Sequence, residues 1–320
     1  MPDPNEFPQV AVLVGILTFR RPLQLGEMLP LVSEQLSELN RITGRDGVVV
    51  VVDNDHDASA RPVVLDLASE FPVVRYVHEP TPGIAAARQR CLDEADGMDL
   101  LQFIDDDEIP APRWLHTMVA TWAAYDRPAA VAGSVLPRYQ SPPPEFVRAG
   151  GFFERRQFET GTVLPVAWSG NLLVDLHQLR GFGVGFDTRL GLRGGEDSIF
   201  TRQITAAGGR IIFCREAPIF DLVPDDRNNR QWVLQRAWHH GSTISLARLW
   251  DLPPGPRRVA EQATLLFGGM ARAVVGYAQA AVSRLRGSVE GYAKGLRLAR
   301  RGLGRAAGAI WSQPPEYDRG

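Results

Sequence analysis

The sequence is poor in cysteine and carries almost no excess of charge of either sign. Cys91 and Cys214 are the two cysteines among 320 residues, and they do not form a Cys-x-x-Cys motif. Two cysteines cannot provide a disulfide framework for a chain of this length, and their spacing excludes the common zinc motifs. The formal net charge of −2 provides no positive field for nucleic acid. These absences favour a protein of a reducing compartment that does not act on nucleic acid.

The beginning of the sequence lacks the features of a secretory signal. Residues 1–8 are polar and acidic, whereas a signal peptide starts with basic residues and continues with an apolar core. We therefore expect the protein to be cytoplasmic. The C-terminal region described below leaves open an association with the inner face of the cell membrane.

Apolar runs of strand length alternate with segments of helical periodicity through the first half of the chain. Strands that alternate with helices indicate βαβ units. The sequence therefore predicts an α/β fold with a mainly parallel central sheet flanked by helices. The predicted strands are residues 10–17, 47–52, 73–77, 99–104, 130–135, 163–168, 170–174, 210–213 and 217–222. The predicted helices are residues 23–39, 58–70, 83–96, 114–125 and 196–207.

Four acidic residues, Asp105-Asp106-Asp107-Glu108, follow the fourth predicted strand directly. Adjacent carboxylates repel one another and resist desolvation, so a strand end that carries them usually needs a cation or a positive ligand nearby. Carboxylate oxygens are hard ligands, which suit Mg²⁺ or Mn²⁺ ions that also hold phosphate groups. The motif therefore indicates a metal or phosphate site, and a solvated acidic loop is the simpler alternative.

Polar residues also follow the first two predicted strands. Because ligands of parallel sheets bind beyond the carboxyl ends of the strands, Thr18 and Asp53 should meet Asp105 along one edge. Arg20 and Arg21, next to Thr18, offer guanidinium groups that suit phosphate or a nucleotide. Asp53 either accepts a hydrogen bond from a nucleoside or forms part of a turn.

Two glycine-containing segments precede predicted helices. Gly83 lets the backbone approach a ligand closely. Arg88, on the helix that follows, either points towards that ligand or pairs with the acidic motif. The glycine-rich stretch 183–195 ends in Glu196 and Asp197, which either cap the next helix or supply a general base at the mouth of a flexible loop.

Five motifs occur in a specific order, although each of them alone is common. They are Thr18-Phe19-Arg20-Arg21-Pro22, Val52-Asp53-Asn54, Glu79-Pro80-Thr81-Pro82-Gly83-Ile84-Ala85-Ala86-Ala87-Arg88, Phe103-Ile104-Asp105-Asp106-Asp107-Glu108 and Gly195-Glu196-Asp197. In this series the chain resembles family 2 glycosyltransferases, which have the Rossmann-like GT-A fold. The resemblance covers residues 9–245.

The resemblance implies an enzyme that moves a sugar from a nucleotide-diphosphate sugar to an acceptor hydroxyl and inverts the anomeric carbon. The acceptor would be a glycan, a lipid-linked molecule or a small molecule. Asp197 would be the catalytic base, with Glu196 as its neighbour. The residues implied in donor binding are Thr18, Arg20, Asp53, Gly83, Arg88, Asp105 and Asp106. The residues implied in binding Mg²⁺ or Mn²⁺ are Asp107, Asp105 and Asp221.

Two positions depart from the pattern of the family. Asp221 lies near the place where many relatives have a metal-binding histidine, and Gln89 follows Arg88 where an asparagine is common. The first departure leaves open a non-catalytic protein of the same fold that binds a nucleotide sugar or a glycan. A phosphatase of the haloacid dehalogenase type should carry its Asp-x-Asp motif after the first strand, and a nucleotidyltransferase should have a glycine-rich first loop with lysine. Both motifs are missing at those places.

The composition changes near residue 250, which predicts a GT-A domain of residues 1–250 and a helical, partly basic extension of residues 251–320. Residues 263–283 are apolar at helical spacing and contain one charge, Arg272. Residues 284–305 contain seven basic residues and one acidic residue. The region 257–305 either makes peripheral contact with an anionic membrane or packs on the rest of the protein with a solvated basic face.

Overall fold

The computed structural model describes residues 7–310, which divide into two compact units. The first unit comprises residues 7–136, Arg155–Leu192 and Glu196–Asp221, and the second comprises Pro137–Glu154, Arg193–Gly195 and residues 222–310. The predicted boundary at residue 250 stays a prediction. Residues 1–6 and 311–320 lie outside the described residues. The first range contains most of the segment on which the predicted absence of a secretory signal rests, and the second is the end of the predicted C-terminal extension.

Eight strands of the described residues form one mixed sheet. They are β1 (Val12–Thr18), β2 (Val48–Asp53), β3 (Val74–His78), β4 (Leu100–Asp105), β5 (Glu108–Pro110), β6 (Ala130–Tyr139), β7 (Leu172–Asp175) and β8 (Ile211–Val223). The order across the sheet is β3-β2-β1-β4-β7-β6-β8-β5. The first four strands in this order are parallel, whereas the pairs β4–β7, β6–β7 and β5–β8 are antiparallel. The α/β class is confirmed, and the sheet combines parallel and antiparallel pairs.

The parallel half of the sheet aligns the ends of its strands. β1 is buried along its whole length, as its run of apolar residues predicts for a strand that is covered on both faces. Its register pairs Thr18 with Asp53 of β2 and Leu17 with Asp105 of β4. Thr18, Asp53 and Asp105 therefore lie together at the carboxyl ends of neighbouring strands, as the sequence predicts.

The described residues contain ten α-helices. They are α1 (Pro22–Thr43), α2 (Arg61–Glu70), α3 (Ile84–Asp93), α4 (Trp114–Ala124), α5 (Glu145–Gly150), α6 (Leu176–Phe182), α7 (Glu196–Ala206), α8 (Arg230–Leu249), α9 (Pro256–Leu285) and α10 (Val289–Ile310). In α1, the sequence explains where the helix begins, where it ends and which residues are buried. Pro22 occupies its first position, Gly44 ends it in the left-handed conformation, and its apolar residues at helical spacing are buried.

Two sequence predictions about strands were wrong. The segment 163–168 is irregular and makes one isolated bridge, between Val163 and Ile212. The segments 210–213 and 217–222 belong to the single strand β8, because Arg215 and Glu216 continue the extended backbone with their side chains exposed. Charged residues can therefore extend a strand that a pattern of buried residues alone would divide.

In the second unit, α9 and α10 form a closely packed antiparallel pair. A methyl group added at Gly276 would lie 2.4 Å from the backbone nitrogen of Ala299, and one added at Gly269 would lie 2.7 Å from that of Ala306. The helices therefore meet almost backbone to backbone, which even a methyl group at these positions would prevent.

Candidate active site

Asp53, at the end of β2, holds the loop that leads to α2. Its Oδ1 accepts a hydrogen bond from the Asp55 backbone at 3.1 Å, and its Oδ2 accepts from the Ala60 backbone at 2.9 Å and the Tyr76 hydroxyl at 3.2 Å. Burial and the Asp53 carboxylate raise the pKa of Tyr76 to about 12. The Asp53 side chain is buried, so its predicted contact with a nucleoside stays a prediction.

Asn54 fixes the loop before α3, a role that the sequence did not indicate. Its Nδ2 donates to the Glu79 and Thr81 carbonyls, both at 2.7 Å, and its Oδ1 accepts from the Gly83 backbone at 3.1 Å. Gly83 has a φ of 135°, and a methyl group added there would lie 2.4 Å from the Gly191 carbonyl oxygen. The expected close approach at Gly83 is therefore made to the glycine-rich loop, and its contact with a donor stays a prediction.

The two arginines that follow β1 have different partners. Arg20 has a φ of 55°, and its Nε lies 3.2 Å from Asp55 Oδ1. Arg21 Nη1 donates to Asp106 Oδ1 at 2.8 Å and to Asp107 Oδ2 at 2.7 Å. Arg21, to which the sequence gave no individual role, is thus the cation that the acidic motif requires.

The pKa values around Arg21 reflect this buried charge cluster. Burial alone would lower the pKa of Arg21, but Asp106, Asp107 and Asp105 outweigh it and raise that pKa. Burial raises the pKa of Asp106 to about 6, with Asp107 adding to the shift and Arg21 opposing it. The acids at this strand end therefore depend on a neighbouring positive charge.

Arg88 joins the acidic strand end to the start of α7. Its Nη2 donates to Asp105 Oδ1 at 3.2 Å, and its Nη1 donates to Glu196 Oε1. Arg88 and Glu196 are buried, whereas Asp105 is partly exposed. The interpretation of Arg88 as a partner of the acids is confirmed, and its predicted place near the nucleotide stays a prediction.

Glu196 and Asp197 differ in exposure, although they are neighbours in sequence. Glu196 is buried against Arg88, whereas Asp197 is partly exposed, and its Oδ1 accepts from the Ser198 backbone at 2.5 Å. Asp197 can therefore meet a ligand in solution, while the Glu196 carboxylate is committed to an ion pair inside the protein.

Asp221 lies opposite Glu108 in the antiparallel pair of β5 and β8. Asp221 Oδ2 accepts from Arg155 Nη2 at 3.3 Å, and Glu108 Oε2 accepts from the Asp105 backbone at 2.9 Å. Burial and the negative charges of Asp105 and Asp221 raise the pKa of Glu108 well above its usual range, with Arg155 opposing them. A methyl group added at Gly170 would lie 2.7 Å from Glu108 Oε1, so this glycine lies directly against the acids.

The three predicted metal ligands do not form a complete cage. Among residues 7–310, no group of three or more His, Cys, Asp or Glu residues converges in a way that could hold a metal ion. The side chains of Asp105, Asp107 and Asp221 are 32%, 21% and 31% exposed, and each contacts an arginine. These partly open carboxylates fit a cation that is shared with phosphate oxygens, because Mg²⁺ usually binds one or two carboxylates together with substrate phosphates.

Gln89, the second departure from the family pattern, holds the glycine-rich stretch. Its Oε1 accepts from the Phe186 backbone at 2.8 Å, and its Nε2 donates to Asp93 Oδ1 at 2.8 Å. The stretch that ends at α7 is therefore anchored to α3, on which Arg88 also lies.

Comparisons with known proteins agree with this architecture. The model of the family described as Glycosyl transferase family 2 matches residues 14–177. The succinoglycan biosynthesis protein ExoM of Rhizobium meliloti (strain 1021) is 33% identical over 241 residues, which are 75% of this chain and 75% of that protein. The glucosyl-dolichyl phosphate glucuronosyltransferase of Haloferax volcanii is 25% identical over 205 residues, 61% of this chain and 64% of the relative.

Solved structures of low sequence identity share the fold. S. aureus TarS 1-349 in complex with UDP-GlcNAc has a TM-score of 0.53 at 12% identity and covers 88% of this chain and 89% of that one. GalNAc-T7 with UDP, GalNAc and Mn2+ has a TM-score of 0.54 at 12% identity, over 80% of this chain and 54% of the other. The predicted GT-A fold is confirmed. The chain belongs to glycosyltransferase family 2, and it is an enzyme that uses a nucleotide-sugar donor.

Proposed function

We propose that this enzyme transfers the sugar with inversion of the anomeric carbon, with assistance from a divalent metal and with Asp197 as the general base. The observation that carries the proposal is the double contact of Arg88 with Asp105 and Glu196. Through this one guanidinium, the acidic strand end and the residue next to Asp197 share a partner. A base and a site for the donor diphosphate would therefore lie in one neighbourhood.

The chemistry needs a base that an acceptor can reach. Asp197 is partly exposed, whereas the Glu196 carboxylate is buried against Arg88. In the proposed step, Asp197 takes the proton of the acceptor hydroxyl as its oxygen forms a bond to the anomeric carbon. The bond from that carbon to the diphosphate oxygen breaks, and its electron pair leaves with the diphosphate. Glu196 positions Asp197 by fixing the first turn of α7.

Donor binding is proposed at the edge where the parallel strands end. The register of β1 with β2 and β4 brings Thr18, Asp53 and Asp105 to that edge, and the motif residues around them would complete the site. The remaining proposed donor-binding residues are Arg20, Gly83, Arg88 and Asp106. The arginines supply the positive charge that a nucleotide diphosphate requires.

Asp105, Asp107 and Asp221 would hold Mg²⁺ or Mn²⁺ together with the donor. A divalent ion bound there would neutralise the charge that develops on the departing diphosphate. Arg21 and Arg155 contact Asp107 and Asp221 and would hold these carboxylates in place. The solved GalNAc-T7 structure contains Mn2+, which supports the choice of cation by analogy of fold.

The acceptor is proposed to carry sugar. The names of the two relatives concern the biosynthesis of succinoglycan in one case and a glucosyl-dolichyl phosphate in the other. On this ground we propose a glycan or a lipid-linked glycan as acceptor ahead of a small molecule without sugar.

The proposed base is tested with Asp197→Asn. The amide cannot take a proton, so the rate of transfer should fall by about 10²–10⁴-fold. The affinity for the nucleotide, measured by calorimetry, should change by less than about twofold, because a general base contributes little to binding of the ground state. Asp66→Asn, on the exposed face of α2, is the control for loss of one charge and should leave transfer unchanged.

Three results would count against the proposal. Equal loss of transfer and nucleotide affinity in Asp197→Asn would mean that the residue binds the donor. Unchanged transfer would remove it from the reaction. Nucleotide-sugar binding by the native protein without turnover on any glycan acceptor would favour the non-catalytic alternative.

A further inference from the structure

We propose that one face of α9 docks on the surface of an anionic lipid bilayer. This α9 apolar face consists mainly of Val259, Phe267, Val274, Val275, Val282 and Leu285, which are exposed along the whole helix. The exposures of Phe267, Val274 and Leu285 are 71%, 66% and 89%. A continuous apolar row on a helix of 30 residues, which is about 45 Å long, is larger than scattered surface residues and indicates an interaction site.

The opposite side of α9 is already occupied within the second unit. Its buried residues include Gly269, Ala273, Gly276 and Ala280, and they pack against α10. The helical period of 3.6 residues places these positions on the side away from the α9 apolar face. α9 is therefore apolar on two opposite sides, and folding of the second unit covers only one of them.

α9 is also long and apolar enough, by length and composition, to cross a membrane. The packing of α10 argues for a surface position instead. Arg297 Nη1 donates to the Gly150 carbonyl at 3.0 Å and also to the Gly151 carbonyl, and Arg300 Nε donates to the Leu234 carbonyl at 3.5 Å. α9 could cross a bilayer only by separating from α10 or by taking these arginines into it, and buried arginine is costly there.

The arginines of α10 do not form the solvated basic face that the sequence suggested. Burial lowers the pKa of Arg297 and of Arg301, and Arg297 is bound to backbone carbonyls. The lipid contact is therefore assigned to the apolar side of α9, with basic residues that lie on α9 and directly after it.

Charge favours lipid over a second copy of the chain as the occupant of this face. By helical spacing, Arg257 and Arg286 lie along one border of the α9 apolar face and Arg284 along the other, and all three are exposed. Glu261, the one acidic residue of α9, is paired with Arg248. The long arginine side chains on both borders can reach anionic lipid headgroups while the apolar face contacts the bilayer. Two copies of this face would bring like charges together.

The native cysteines allow a direct test in the full-length protein. Cys91 and Cys214 are both buried, so a cysteine placed on the surface of α9 can be labelled selectively with a polarity-sensitive fluorophore. Val274→Cys places the label on the α9 apolar face, and Gln279→Cys is a matched control on an exposed polar position of the same helix. Vesicles of phosphatidylcholine mixed with phosphatidylglycerol should raise the emission of the first label several-fold and shift it to shorter wavelength, with little change at the second. Equal responses at both positions, or no response at either, would overturn the proposal.

A sedimentation assay with the same vesicles separates lipid from other occupants. Phe267→Ser combined with Val274→Ser should lower vesicle binding by about tenfold or more, because two apolar side chains leave the bilayer. Leu23→Ser combined with Leu65→Ser, at exposed apolar positions of the first unit, should not change it. Arg284→Gln combined with Arg286→Gln should weaken binding only to the anionic vesicles. A lipid-free dimer that the Phe267 and Val274 changes dissociate, without vesicle binding by the native protein, would overturn the proposal and assign the face to a second copy.

Discussion

The two units differ in the groups that bind some of their arginines. In the first unit, Arg88 and Arg21 are paired with carboxylates, and the Arg88–Glu196 pair is buried on both sides. In the second unit, Arg297 and Arg300 of α10 donate to backbone carbonyls. A carboxylate left without its arginine keeps a full charge inside the protein, whereas a carbonyl left without its arginine is a neutral group. The same substitution should therefore cost more in the first unit than in the second.

The largest effect is expected from Arg88→Met. This change leaves the buried Glu196 carboxylate without its guanidinium, so the free energy of unfolding should fall by about 3–5 kcal/mol in urea titrations. Arg90→Ala is the control on the same helix. Arg90 is partly exposed and paired with Glu94, so its loss should cost at most about 1 kcal/mol.

The cause of the Arg88 effect can be isolated with a second substitution. Arg88→Met combined with Glu196→Gln removes both charges and should recover part of the stability that the single change loses. A double variant whose loss equals the sum of the two single losses would contradict the buried-pair explanation.

A smaller effect is expected from Gly276→Ala, which tests the packing of α9 on α10. The new methyl group would lie 2.4 Å from the Ala299 backbone nitrogen, so the helices must separate, at a cost of about 1–3 kcal/mol. Gly268→Ala is the matched control, because the nearest atom to its methyl group is the flexible end of Arg272 at 3.4 Å. That control should stabilise the protein by about 0.5–1 kcal/mol through helix propensity. Equal signs for the two changes in thermal unfolding would show that the helices are not closely packed.

The smallest effect in this series is expected from Arg297→Gln. The change removes hydrogen bonds to the Gly150 and Gly151 carbonyls and the attraction of the exposed Glu154, but it leaves no buried carboxylate without a partner. It should therefore cost about 1–2 kcal/mol. Lys294→Gln, one turn earlier and exposed, should cost about 0.5 kcal/mol or less. An Arg297 variant that is destabilised as much as the Arg88 variant would remove the distinction between carboxylate and carbonyl partners.

Local sequence patterns predicted the parallel strands β1 to β4 of the sheet well. The apolar runs of β1, β2 and β4 indicate strands buried on both faces, and parallel strands that end at one edge bring Thr18 and Asp53 together without further information. The ordered motifs predicted the family and the GT-A fold correctly. Several of these motifs follow strands of the parallel sheet, so their order along the chain reflects the repetition of strand and helix.

The contacts that complete the site depend on long-range pairing, which local patterns do not show. Glu108 faces Asp221 because β5, a strand of three residues, pairs with β8 from more than a hundred positions later in the chain. No periodicity can be recognised in so short a strand. The sequence likewise does not show that Arg21, rather than Arg20, contacts the acidic motif, because both residues have the same charge. In the structure, Arg20 has a φ of 55° and contacts Asp55 instead. The lesson is that charge can be read from a sequence, whereas its partner depends on the register of distant strands.

The stereochemistry of transfer tests the central proposal most directly. A single displacement assisted by Asp197 attacks the anomeric carbon from the side opposite the diphosphate, so the new glycosidic bond must have the opposite anomeric configuration to the donor. NMR of the product, whose glycosidic linkage does not interconvert between anomers, measures the coupling constants at the anomeric position that report this configuration. We predict inversion for every donor that the enzyme accepts. A product that keeps the configuration of the donor would contradict the mechanism proposed for Asp197.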